Sequence, residues 1–205
     1  PKPLIPVKGK TIIERIISNF YKFGFKDYKF IVNYKSLILK AYLKELKTSI
    51  NIEYFAEKKP LGTIGGLYLL KSKIKENIIL SNCDIIVNCD LNDLIQTHID
   101  SKNILTIVAA TKEFVMPYGN CVLNEDGNLK YIDEKPKSNY LINTGLYIIN
   151  KKIFKYLKRD SVLNMDKLIT NLLNSKLKVG IFPVHESQWI DIGEWSEYKK
   201  TVEKF

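Results

Sequence analysis

Two aspartates and two lysines carry the chemistry that this sequence suggests. Asp84 ends the apolar run Ile78-Ile-Leu-Ser-Asn-Cys-Asp84, with Ile-Ile-Val87 behind it, and Asp191 sits in Gln188-Trp-Ile-Asp191-Ile-Gly193. An apolar run this short, bounded by polar residues, reads as a buried strand of a parallel sheet. Ligands of open α/β sheets sit beyond the carboxyl ends of the strands. A carboxylate at such an end is placed to hold a divalent metal beside a phosphate, the alternative being a helix N-cap or a structural acceptor. Two such carboxylates, far apart in sequence, could converge on one Mg²⁺, an ion that takes few protein carboxylates and completes its shell with phosphate oxygens and water. Lys2 lies in Pro-Lys-Pro and Lys135 in Glu-Lys-Pro, contexts that restrict both backbones. Two restrained cations and a metal suit the stabilisation of charge in phosphoryl-type transfer.

The other polar groups offer less. Glu57-Lys-Lys-Pro-Leu-Gly-Thr-Ile-Gly-Gly66 reads as a strand running into a Pro/Gly loop, with a helix starting near Thr63. Helix N-termini bind anions and Gly62 permits close approach of a ligand, but the stretch is neither a P-loop nor a G-x-G-x-x-G fingerprint. Cys83 reads as a small buried residue rather than a nucleophile, since no His is near it in sequence. His98 falls on a helix face without a charge partner and reads as surface or core. His185 follows a strand and stands before the Asp191 motif. Trp189 and Trp195 read as packing anchors.

These residues need elements to hold them. Residues 1–7 are expected to be extended, because three prolines oppose helix there. Thr11-Ile-Ile-Glu14 has the form of a capping box, followed by apolar residues at helical spacing up to Gly24. Strands are expected at 28–33, 51–56, 78–84 and 104–111, with helices at 36–46 and 91–100 between them. That alternation predicts a doubly wound parallel sheet. A hairpin follows, with strands at 120–124 and 129–133 around Glu125-Asp-Gly-Asn128. Residues 143–149 read as polar loop into strand, 151–157 and 165–173 as helices, 178–184 as a strand and 194–203 as a closing helix. With no repeat, linker or low-complexity stretch, the 205 residues form one domain.

Composition excludes several classes. The chain is 45% hydrophobic, enough for a core, yet no apolar run approaches the ~20 residues of a membrane span. The net charge is +10, but the lysines are scattered and form no basic stripe with interleaved aromatics, so nucleic acid is not an expected partner. The basic field would instead draw in a phosphorylated substrate. Three cysteines without C-x-x-C spacing indicate neither a disulfide framework nor a zinc site and point to the cytoplasm.

Taken in order, Pro1-Lys-Pro-Leu-Ile-Pro-Val, Glu57…Pro-Leu-Gly-Thr-Ile-Gly-Gly, the strand ending in Asp84, Pro117-Tyr-Gly, Glu134-Lys-Pro, Asn143-Thr-Gly-Leu-Tyr and Trp189-Ile-Asp-Ile-Gly resemble the sugar-1-phosphate nucleotidyltransferases over essentially the whole chain. The flavour is closest to the mannose- or glucosamine-1-phosphate guanylyltransferase-like branch, some members of which carry upstream regulatory domains. The resemblance implies a Rossmann-like, glycosyltransferase-A-like α/β fold with a doubly wound mixed sheet. It implies a Mg²⁺-dependent reaction of a nucleoside triphosphate, GTP by this flavour, with a sugar 1-phosphate. Carried onto this chain, it makes Asp84 and Asp191 metal ligands, sets Lys2 on the nucleotide phosphates and Lys135 on the sugar phosphate, and makes these four the catalytic set. Glu134, Asn143, Thr144 and Gly119 would line the sugar, Leu61 and Gly62 would contact the base, and Thr63, Tyr118 and Gly145 would also bind substrate. It also implies a first strand and a glycine-rich, Arg-bearing loop directly before Pro1, so the chain is expected to continue upstream and to be inactive and poorly folded without that part. Cys83 stands where a glycine usually precedes the metal Asp. Two other functions fit parts of the pattern. One is a domain of this fold that senses nucleotide or sugar phosphate without turnover. The other is a metal-dependent glycosyltransferase, whose usual Asp-x-Asp pair is missing at Asp84-Ile-Ile. A homo-oligomer is compatible with all of these.

Overall fold

The computed structural model describes residues 1–7, 9–46 and 49–192. The chain opens on a 3-10 turn at Lys2–Leu4, not on the fully extended run expected. Proline opposes helix because it lacks an N–H and crowds the preceding turn, and neither matters in a first turn. The short strands β1 (Pro6–Val7) and β2 (Lys10–Thr11) pair antiparallel and lead into α1 (Ile12–Lys22). The expected capping box is present: Thr11 Oγ1 accepts from Glu14 N–H at 3.3 Å, and Glu14 Oε2 accepts from Thr11 N–H at 2.6 Å.

A parallel pair follows, β3 (Asp27–Val32) and β4 (Asn51–Ala56), joined by α2 (Ser36–Glu45). After a loop and a 3-10 segment at Gly65–Leu70 come β5 (Asn77–Ser81), β6 (Ile85–Val87) and α3 (Leu91–Asp100). The rest of the described chain holds β7 (Leu105–Val115), β8 (Asn120–Leu123), β9 (Leu129–Asp133), β10 (Lys137–Asn150), α4 (Met165–Asn174), β11 (Val179–His185) and β12 (Trp189–Asp191). The helix expected at 194–203, with Trp195, lies outside the described residues.

The main sheet has the order β11-β7-β10-β5. β11 runs parallel to β7, and β10 is antiparallel to both β7 and β5, so the sheet is mixed rather than parallel. Pro183 is tolerated in β11 because that strand is an edge. Side chains alternate across β10. Tyr147 and Ile149 face a cluster with Leu168 and Leu172 of α4, whereas Leu146 and Ile148 face Leu91 and Leu94 of α3. Helices thus cover both faces, as a doubly wound fold requires. The β3–β4 pair is covered on one face by α1 and α2 through Ile13, Ile17 and Leu43, and on the other packs Ile31 and Phe55 into the α4-side cluster. Among the described residues it is not hydrogen-bonded to the main sheet, and β5 has a strand partner on one edge only. All five residues of β5 are in consequence half-buried, not buried as a central strand would be.

Three expected elements changed form. The helix expected from Thr63 is a 3-10 segment, which suits Gly65 and Gly66, whose missing side chains let Ser161 and Glu57 approach. The helix expected at 151–157 is a 3-10 turn at Lys151–Lys155. The polar loop expected to open residues 143–149 is already strand, since β10 starts at Lys137 and pairs with β7 from Val115 to Leu105.

Candidate active site

Asp84 sits in the turn between β5 and β6, beyond the carboxyl end of β5. The run read as a single strand is therefore split. Its second half, β6, pairs antiparallel with β12, Asp191 standing opposite Ile85. The Asp84 carbonyl accepts from Ile192 N–H at 2.9 Å, which ties the two aspartate segments together one residue apart along the ladder. Ile86 and Ile192 pack beneath them with Val7, Ile12 and Ile16. The same cluster anchors the proline-rich entry segment, and the Arg15 guanidinium donates to the Val7 carbonyl. That anchoring brings Lys2 Nζ to 3.9 Å from Asp84 Oδ2. The pair is loose, with the lysine side chain 61% exposed and the aspartate 24%, so it contributes little to stability.

Among the described residues no three His, Cys, Asp or Glu side chains gather as a metal cluster. Two carboxylates on paired segments are hard oxygen ligands of the kind that Mg²⁺ takes. Cys83, beside Asp84, is exposed rather than buried as expected, because the strand has already given way to a turn. Desolvation of its sulfur in the turn, and then the Asp84 charge, push the thiol pKa up, which disfavours the thiolate a nucleophile needs.

Asn143, Thr144 and Gly145 fall where the β10–β7 register shifts. Asn143 donates from Nδ2 to Tyr147 Oη at 2.8 Å and accepts at Oδ1 from Gly145 N–H at 3.0 Å, which fixes its amide. Thr144 is buried and its hydroxyl donates to the Val108 carbonyl at 2.7 Å, so it shapes the irregular strand and presents no free hydroxyl. Gly145 has φ +86°, and a Cβ there would lie 2.6 Å from Asn82 Nδ2. Asn82 N–H donates to the Gly145 carbonyl, joining this irregularity to the end of β5, two residues before Asp84.

Leu61, Gly62 and Thr63 form a loop seated on residues 163–165. Leu61 is 3% exposed and its carbonyl accepts from Leu163 N–H at 2.9 Å, so Gly62 and Thr63 are the residues of this loop that face solvent. Gly62 has φ +79°, and a Cβ there would lie 2.5 Å from the Leu163 carbonyl. Thr63 Oγ1 accepts from Met165 N–H at 2.8 Å, and Asn164 Oδ1 accepts from Thr63 N–H at 3.2 Å. Thr63 thus caps α4 from a hundred residues away. Sequence reasoning missed Asn164, and its position directly before the helical run 165–173 was the available signal.

Tyr118, Gly119, Glu134 and Lys135 lie on an exposed arm formed by the distal halves of β7 and β10 with the β8–β9 hairpin. Gly119 and Glu134 are close, since a Cβ on Gly119 would lie 2.9 Å from Glu134 Oε2. Lys135 holds φ +50° immediately before Pro136. Two of the other four non-glycine residues at positive φ, Lys102 and Lys176, directly follow the C-caps of α3 and α4, where that conformation is common. Lys135 is instead strained between two strands, as functional residues often are.

Both histidines have structural partners. His185 is exposed and caps a 3-10 turn. His98 is buried, with Nδ1 2.8 Å from Thr106 Oγ1, which also accepts from Asn103 Nδ2 at 3.0 Å. His98 and Asn103 lie along a groove of about 860 Å³, partly open solvent, at the far end of the sheet from Asp84. Burial lowers the His98 pKa below its ordinary value. An unfolded chain then takes up a proton near pH ~6.5 that the folded chain refuses, so stability is full above that pH and falls as the pH drops toward the folded value. The melting temperature is expected to fall between about pH 7.5 and 5.5, and to fall less in His98→Gln. Equal losses in both proteins would show that His98 is not responsible.

A family model for nucleotidyl transferase matches residues 1–205. The D-glycero-alpha-D-manno-heptose 1-phosphate guanylyltransferase of Campylobacter jejuni is 28% identical over 200 residues, 97% of this chain and 87% of that protein. The mannose-1-phosphate guanyltransferase of Gibberella zeae is 30% identical over 97% of this chain, which spans 56% of that longer protein. Among solved structures, HddC from Yersinia pseudotuberculosis superposes with a TM-score of 0.77 at 25% identity, covering 100% of this chain and 90% of HddC. A second structure of HddC is a complex with GMP-PN and superposes with a TM-score of 0.75. With the family matched from end to end and the mixed, doubly wound sheet shared, the chain belongs to the nucleotidyl transferase family of enzymes.

Proposed function

We propose that this enzyme transfers a guanylyl group from GTP to a sugar 1-phosphate, releasing pyrophosphate. The observation that carries the reading is the pairing of the Asp84 and Asp191 segments beyond the end of β5, with Lys2 Nζ 3.9 Å from Asp84 Oδ2. The guanylyltransferase relatives and the GMP-PN complex support the choice of nucleotide and of a sugar 1-phosphate as acceptor. In this reading a phosphate oxygen of the sugar 1-phosphate attacks the α-phosphorus of GTP, and the bond to the bridging oxygen of the leaving pyrophosphate breaks. Asp84 and Asp191 would hold Mg²⁺, which neutralises charge on the reacting phosphates. Lys2 approaches the nucleotide phosphates and Lys135 the sugar phosphate. The fixed amide of Asn143 and the carboxylate of Glu134 orient sugar hydroxyls, and the backbone at Leu61–Thr63 meets the base.

A grid of nucleoside triphosphates against sugar 1-phosphates, read by pyrophosphate release with and without Mg²⁺, tests this. GTP with a manno-configured sugar 1-phosphate is expected to react fastest. A preference for UTP or dTTP would overturn the guanylyl assignment.

The open edge of β5 and the separate β3–β4 pair further support one more strand between them, running into a phosphate-cradling loop. Slow hydrogen exchange of β5 amides in active enzyme would agree, and fast exchange would oppose it. Three free cysteines fit a reducing compartment, and we place the reaction in the cytoplasm, which cell fractionation checks.

A further inference from the structure

The groove at the far end of the main sheet from Asp84 is assembled from segments distant in sequence. The Asn150 N–H donates to the Ile104 carbonyl and the Ile104 N–H to the Lys178 carbonyl, both at 2.9 Å. These bonds draw the end of β10 and the start of β11 onto the residues that follow α3. Lysines scattered along the sequence are thereby collected, since Lys102, Lys152 and Lys178 all line the groove, with Glu76 as the acid among them. All four residues are exposed, and none of them forms an ion pair among the described residues. Three positive charges against one negative, set around a concave surface, attract a small anion.

The wall of the groove is polar and incompletely bonded. His98 and Asn103 both line it and are 2% and 7% exposed. Asn103 Nδ2 donates to Thr106 Oγ1 at 3.0 Å. The Thr106 hydroxyl proton then has His98 Nδ1, 2.8 Å away, as its acceptor, which places the imidazole proton on Nε2. His98 Nε2 and Asn103 Oδ1 have no partner among the described residues. The Asn103 amide is seated against Gly180, where an added Cβ would overlap Nδ2, so Oδ1 is held in place. Buried polar atoms are ordinarily hydrogen-bonded, and a donor and an acceptor left over in one wall call for a group that supplies both functions. A hydroxyl does so, accepting from Nε2–H and donating to Oδ1. The groove, about 860 Å³ and partly open solvent, is in the size range of small-molecule sites.

We propose that this groove is a second binding site, for a small hydroxylated phosphate ester. Lys102, Lys152 and Lys178 hold the phosphate, and His98 Nε2 and Asn103 Oδ1 hold a hydroxyl. The site lies away from the catalytic end and stands whatever base or sugar the enzyme takes.

Titration of glycerol 3-phosphate into ¹⁵N-labelled protein, followed by the imidazole nitrogen signals, tests it. The chain has two histidines, His98 buried and His185 exposed, so their signals are readily told apart. The His98 signals are expected to shift to saturation while those of His185 stay. Lys152→Gln with Lys178→Gln is expected to keep the wild-type melting temperature and to raise the Kd ~10-fold or more, the effect of losing charged hydrogen bonds. Inorganic phosphate and glycerol, each alone, are expected to bind at least ~10-fold more weakly, since each meets only half of the site. A non-hydrolysable GTP analogue in excess is expected to leave the His98 response intact. Unmoved His98 signals, or a Kd indifferent to the two lysines, would overturn the proposal. So would phosphate binding as tightly as the ester, or displacement of the ester by the GTP analogue.

Discussion

Asp84→Asn is expected to fold normally and to turn over at least ~100-fold more slowly than wild type. Asparagine keeps the shape of the side chain and removes its charge. The fold should tolerate this because the Asp84 side chain is 24% exposed and its ion-pair partner Lys2 is 3.9 Å away and mostly in solvent. What holds the turn is backbone, through the Asp84 carbonyl and Ile192 N–H, and the apolar cluster of Ile86 and Ile192 beneath. Catalysis should not tolerate it, since a neutral amide is a poor ligand for Mg²⁺ and the charge it should hold lies against the reacting phosphates. Pyrophosphate release at saturating substrates, over a titration of Mg²⁺, separates the two effects. Turnover near the wild-type rate at ordinary Mg²⁺ would remove Asp84 from the metal site.

Lys135→Ala is expected to lower kcat/KM for the sugar 1-phosphate by ~10- to 100-fold, the worth of one charged hydrogen bond of ~1.5–3 kcal/mol. Nucleotide affinity should barely change. Lys135 is exposed on the arm and held at φ +50°, whereas the cation close to Asp84 is Lys2. Lys2→Ala should therefore show the opposite pattern, with nucleotide binding weakened and the sugar-phosphate KM little affected. Calorimetry with a non-hydrolysable GTP analogue, set beside steady-state rates with varied sugar 1-phosphate, makes the comparison. Equal loss of nucleotide affinity in both variants would end this division of labour.

The sequence by itself determined the local elements whose reasons are local. The capping box at Thr11 and Glu14, the helix at 91–100 and the strand at 51–56 follow from short-range hydrogen bonds and side-chain periodicity, and they stand where expected. The hairpin around Gly127 follows from turn chemistry. The segments of Asp84 and Asp191 stood out in the sequence as well, because a lone carboxylate among apolar residues is unusual. Contacts between distant segments were not legible. Nothing near residue 84 states that its run breaks there and that β6 turns to pair with β12, a hundred residues on. Nothing near Thr63 states that its hydroxyl caps α4. Residues 137–142 carried no expected element because Lys-Ser-Asn-Tyr-Leu-Ile shows no alternation, and only the ladder to β7 makes them strand. Burial of an apolar side chain leaves a periodic mark on its own neighbours, so the sequence carries it. Pairing energy is shared between segments that meet only once the chain has folded, so the partners of Lys2, Asp84 and Asp191 were decided by the tertiary structure.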